Sequence, residues 1–208
     1  MPSPWHWNET SHRYHNTETG RFLSANQMAP LRDAFVESQR QGITDITDKL
    51  YGREITIQEW VLQFRSELKI TYLDQYMIAR GGRKVMTQSD YGRVGGFLRE
   101  QFQYLNALAE SVAKGEISEA QLRTRSQMYI NSSVKAFEAG KVASYSGLKL
   151  PAVPGQDSEC LSNCKCRWQI SETAKEWRCT WNRTAAESCP TCRQRAAEWA
   201  PLVISKAA

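Results

Sequence analysis

Cysteine is absent from the first 159 residues of this 208-residue chain, and histidine occurs only three times, at His6, His12 and His15. The first absence removes disulfide and thiolate chemistry from most of the chain. The second leaves little imidazole for metal binding or proton transfer, and with no nucleophile near them in sequence the three histidines read as structural. No apolar stretch approaches the ~18 to 20 residues needed to cross a bilayer. The polar start MPSPWHWNETSHRYHN lacks the basic-then-apolar layout of a secretory signal. A protein with no membrane association and no export is the expectation. Lys and Arg outnumber Asp and Glu by 27 to 22, yet no run of five basic residues occurs, so the net charge of +5 describes a solvated surface. There is no G-x-x-x-x-G-K-[ST], no G-x-S-x-G and no H-E-x-x-H, and Gly92-x-x-Gly95-Gly96 lies inside a helical pattern rather than after a strand. The chain is expected not to be an enzyme.

What is present suits a folded, mainly α protein. Hydrophobic residues make up 41% and charged residues 24%, enough to build a core. Residues 1–25 form an N-terminal arm, in which Arg13-Tyr14-His15 and Arg21-Phe22-Leu23 flank a turn at Gly20 and predict a β-hairpin. Two strands alone are marginal in water, so the arm needs a surface to rest on, either a partner subunit or the chain's own helices.

Residues 26–147 predict an elongated helical body of about four helices. The first runs from about Asn26 to Tyr51, with Pro30 in its first turn and Gly42 as a candidate break. Thr56 with Glu59 forms a capping box that opens the second, which stops at Gly81-Gly82. Thr87 with Asp90 opens the third, ending at Gly115, and Gly95-Gly96 within it suggests a close backbone contact. Ser118 with Gln121 opens a fourth helix to about Ser146. Its stripe of Leu122, Arg125, Tyr129, Ser132, Ala136, Gly140 and Ala143 is mostly small, which would admit a neighbouring helix closely. Residues 148–157, with two prolines and a glycine, form a linker.

All six cysteines fall in residues 158–208. Clustering of this kind favours metal over disulfides in a reducing compartment. Cys160-x3-Cys164-x-Cys166 leads into Arg167-Trp168-Gln169-Ile170, Glu176-Trp177-Arg178-Cys179-Thr180-Trp181 follows a polar turn, and Cys189-Pro190-Thr191-Cys192 heads a short helix ended by Pro201. A cysteine turn, a hairpin and a second cysteine pair at a helix start resemble treble-clef zinc fingers. The close pairs Cys164, Cys166, Cys189 and Cys192 are the expected ligands of a structural Zn2+, with Cys160 and Cys179 as alternatives. Were the hairpin symmetric about Glu172-Thr173, Cys166 would face Cys179 across it, which keeps a disulfide between them open. Four thiolates would close the site and leave no position for catalysis.

Several of these segments together resemble another group of proteins. Tyr14-x5-Gly20-Arg21-Phe22, Ala79-Arg80-Gly81-Gly82 followed by Met86-Thr87 and Asp90-Tyr91-Gly92-Arg93-Val94-Gly95, the Arg125-x3-Tyr129 of the fourth helix and the terminal cysteine module are similar to minor head proteins of tailed bacteriophages, the Mu F-like head morphogenesis family. Here Cys164-x-Cys166 precedes Cys189-x-x-Cys192, the reverse of that family's usual order. The resemblance implies a non-enzymatic virion component, oligomeric within the particle, that meets portal or capsid protein during head assembly in the host cytoplasm. A different expectation comes from the residues alone: Arg167, Arg178, Arg183, Arg193 and Arg195, with tryptophans free to stack on bases, would make a nucleic-acid-binding zinc module. Contact with packaged DNA would satisfy both.

Overall fold

In a computed structural model, residues 5–8, 10, 11, 13–23, 25–183 and 188–206 are described. His12 and the side chain of His6 lie outside the described part, and His15 stacks on Phe22 with ring centroids 4.7 Å apart. The chain is mainly helical, with a small sheet at each end. β1 (Trp5–Asn8), β2 (Arg13–Asn16) and β3 (Phe22–Leu23) form an antiparallel sheet in that order. The expected hairpin is β2 and β3, and β1 adds a strand that the sequence pattern did not signal. Asn16 makes the turn: its side-chain oxygen accepts from the amides of Glu18 and Thr19, both at 2.9 Å, and Gly20 takes the positive φ that closes it. Tyr14 is buried, and its hydroxyl donates to the Met77 carbonyl at 3.4 Å. The arm therefore rests on the chain's own second helix.

The body consists of α1 (Ala25–Tyr51), α2 (Ile57–Arg80), α3 (Gln88–Ala113), α4 (Glu119–Ser132) and α5 (Val134–Ala143). All three capping boxes form. Thr56, Thr87 and Ser118 each accept from the third helical amide, and Glu59, Asp90 and Gln121 reach back to the cap. Gly81 caps α2 in the left-handed conformation that glycine adopts without strain. Trp60, Phe64, Leu68 and Tyr72 of α2 are fully buried and meet Leu105 of α3 and Leu122 and Ile130 of α4 in one apolar core.

Four expectations change. Gly42 does not break α1, which runs through it, and Pro30 falls in the second turn because the helix begins at Ala25. The fourth helix is two: the chain turns at Ser133, whose hydroxyl donates to the Ile130 carbonyl at 2.7 Å and competes with the backbone ladder. Redirected there, α5 packs lengthwise on α2. A Cβ on Gly140 would overlap the Tyr76 carbonyl oxygen, so the small stripe does admit close approach. The fourth change concerns Gly95 and Gly96, where an added Cβ would meet nothing within 4 Å. The close contact expected there is absent among the described residues, because α3 turns Val94, Phe97, Leu98 and Leu105 to the core and its glycines outward.

No helix among the described residues is long and apolar enough to cross a membrane. The C-terminal part contains β4 (Arg167–Glu172), β5 (Glu176–Asn182), α6 (Pro190–Glu198) and β6 (Leu202–Ser205), with the sheet ordered β4-β5-β6. β6 is a further strand the sequence did not reveal.

Candidate metal centre

The cysteines arrive from two turns. Leu161 takes a positive φ of 39° and starts a short 3-10 turn, Leu161–Asn163, which brings Cys160 and Cys164 together. Cys189 is the N-cap of α6, Pro190 occupies the first helical position, and Cys192 lies in the first turn, where helix N–H groups favour thiolates. The sulfurs of Cys160, Cys164 and Cys192 all lie within 4.8 Å of one another. Cys160 is the hub, with its sulfur 3.6 Å from that of Cys189 and 3.9 Å from that of Cys192. Zinc–sulfur bonds of ~2.3 Å in a tetrahedron place sulfurs ~3.8 Å apart, whereas a disulfide needs ~2.05 Å. All six cysteines are free, and three of the sulfurs are close enough together to ligate one metal ion.

Five of the thiols thus gather in one place. Of the expected set, Cys164 and Cys192 fall in the mutually close group, and Cys189 joins it through Cys160. Cys166 approaches Cys164 and Cys192, while Cys160, expected only as an alternative, occupies the centre. Cys179 is fully buried in β5, with no sulfur contact to the others among the described residues. It does not face Cys166. The hairpin turns at Ala174-Lys175 rather than Glu172-Thr173, so Cys179 pairs with Ile170 on β4 and with Leu202 on β6.

The titration tendencies follow this placement. A hydrogen bond from Cys166 holds the Cys164 thiol well below its ordinary value, and the same bond raises Cys166. Burial raises Cys160 and Cys192. Burial also works against the Cys189 thiolate, but the Cys192 amide and its neighbouring thiols outweigh it, and the net shift is downward. Burial alone pushes Cys179 up to about 11, which suits an inert core thiol.

The remaining aromatic residues build the module's core. Trp168 meets Trp181 edge-on at 5.1 Å and stacks on Trp199 at 5.3 Å, and the Arg195 guanidinium lies 5.2 Å from the Trp181 ring centre. Trp168, Trp177 and Trp181 are 2%, 6% and 1% exposed. Tryptophans free to stack on bases were expected, and the structure corrects this: so small a module needs their apolar area for its own interior.

The centre is fastened to the body. The Trp168 amide donates to the Glu138 carboxylate of α5 at 3.0 Å, and the Trp168 indole donates to the Ala152 carbonyl at 2.9 Å. Glu138 is fully buried and paired with Lys141 at 2.8 Å. Val142, Leu148 and Ala152 join the cysteines and tryptophans in one core. Sequence reasoning missed Glu138 because a lone glutamate in a helix carries no signal of burial.

Comparison with protein-family models, curated proteins and solved structures gives no match.

Proposed function

We propose that this protein is a non-enzymatic structural component of a bacteriophage head, a minor head protein that associates with portal or capsid protein, and that its C-terminal module is a treble-clef-like fold closed by zinc. Sulfur separations of 3.6 and 3.9 Å carry the metal part of the reading, since they fit one tetrahedral shell. The group is all thiol, so a bound zinc would be saturated by sulfur and act on folding rather than on substrate.

The residues behind the family resemblance support a structural role. Tyr14 meets the end of α2, Gly81 caps it, and Tyr76 donates to Asp90 at 2.6 Å. Arg80 pairs with Asp90 at 3.4 Å, and Asp90 accepts from the Thr87 amide at 2.9 Å. They form one joint between the arm, α2 and α3. Mass spectrometry of purified proheads and mature particles should find the chain, and its absence from both would reject the virion role. Metal analysis of the intact chain should give one zinc per chain; a metal-free, fully folded protein would reject the centre.

A further inference from the structure

We infer that a cleft between α3, α4 and the segment leading into the cysteine turn binds a small carboxylic acid with an apolar body. The cleft encloses about 440 Å³, within the usual range for small-ligand sites. Its wall is largely apolar, with Tyr104 and Leu108 from α3, Met128 from α4 and Leu161 from the turn. Tyr104, Met128 and Leu161 are exposed, so the wall presents apolar area to whatever enters.

Two buried polar side chains in this wall lack partners. Gln101 is 4% exposed and Tyr129 8%, and neither the Gln101 amide nor the Tyr129 hydroxyl makes a hydrogen bond among the described residues. Groups buried to this degree are ordinarily bonded. Both line the cleft, from which a ligand can supply the missing bonds.

Charge decides the kind of ligand. Lys135 is buried and pairs with Glu100 at 2.6 Å, and Glu100 also accepts from the Tyr104 hydroxyl at 3.4 Å. These two charges cancel. Arg125, one helical turn before Tyr129, makes no ion pair or hydrogen bond among the described residues, and no further charged side chain is among the described lining residues. Burial raises the pKa of the Tyr129 hydroxyl, and the Arg125 charge pulls it back in part, so the phenol stays a donor with the guanidinium close by. A guanidinium, a phenol and a carboxamide, all able to donate, match the oxygens of one carboxylate. Arg125-x3-Tyr129 takes no part in the joint between the arm, α2 and α3, and this cleft is where it sits.

Ordered water is the competing explanation. Water would satisfy Gln101 and Tyr129, but it gains nothing from an apolar wall. The inference depends on neither the virion role nor the metal, since none of the residues that carry it belongs to the thiol group.

The test uses the full chain, isotope-labelled for nuclear magnetic resonance. Phenylbutyrate is titrated beside phenylbutanol, which has the same body without the charge. Amide shifts should cluster at residues 100–111, 125–135 and 155–161, and the acid should bind on the order of tenfold more tightly than the alcohol. Arg125→Gln, at an exposed position, should remove that preference and leave binding of the alcohol unchanged. Tyr129→Phe keeps the ring against Phe64 and should weaken binding of the acid on the order of tenfold, without lowering the urea midpoint, because the hydroxyl it removes had no partner. Lys69→Gln, exposed on α2 outside the cleft, should change binding less than about twofold. Equal binding of acid and alcohol, shifts away from the cleft, binding of neither, or an equal loss in Lys69→Gln overturns the inference.

Discussion

The helical body and the cysteine module bury their interiors by different means. The body gathers large side chains from four long helices, among them Trp60, Phe64, Tyr72, Leu105 and Ile130, and its stability is distributed over that area. The module has about fifty residues, three short strands and a helix of nine residues. Its core combines four tryptophans and a group of thiols with Val142, Leu148 and Ala152. Units of that size need a staple. Helix caps and packing suffice for the first region, whereas the second leans on the surface of the body and, in the proposed reading, on a metal cross-link at its centre.

The sharpest way to break this contrast is to remove the metal proposed for the thiol group. Structural zinc sites contribute on the order of 10 kcal/mol or more to folding, so chelation, or Cys192→Ser, should unfold the module while the body's helices persist. Tryptophan fluorescence should shift to the red with far-ultraviolet helical signal retained; collapse of both together would show that the two regions are one cooperative unit. Next in size is Glu138→Ala, which leaves Lys141 and the Trp168 amide without their buried partner. Loss of one member of such a pair costs about 3 to 5 kcal/mol, and urea denaturation should show the module unfolding first. A change confined to the body would contradict the docking role.

Gly140→Ala should act on the body alone. Overlap with the Tyr76 carbonyl forces α5 off α2, at about 1 to 3 kcal/mol, and zinc content should be unchanged. Thr56→Ala should cost about 1 kcal/mol through its lost cap, seen as a lower urea midpoint at unchanged slope. The smallest effect is in acid. Burial alone would raise the Asp90 carboxyl, but the Tyr76 hydroxyl, Thr87 and Arg80 outweigh it and hold it below its ordinary 3.8. The folded value is the depressed one, so this stabilisation is present above about pH 3.8 and is lost as pH falls through the folded value. Asp90→Asn should flatten that part of the stability profile.

Features set by near neighbours along the chain are legible in the sequence. The pairs Thr56 with Glu59, Thr87 with Asp90 and Ser118 with Gln121 lie three residues apart, and each produces its cap locally. Metal binding is likewise suggested by cysteine spacing. What depends on distant contacts is not legible there. The turn at Ser133 serves the packing of α5 on α2, and a serine inside a helical pattern, unlike a proline or glycine, does not by itself mark a break. Strands β1 and β6 are four residues each and exist through their partners. A shift of two residues in the hairpin turn places Cys179 opposite Ile170, and the left-handed Leu161 makes Cys160 the hub. Neither can be read from cysteine spacing.

The helix α5 is buried on every side, with Gly140 against α2 and Glu138 against Trp168. Ten residues therefore answer to two neighbours at once. A module grafted onto another helical scaffold would need residues 134–143 to travel with it, and a substitution in this helix that suits one neighbour is screened by the other. The two regions are bound to change together along this seam even where their surfaces are free to diverge.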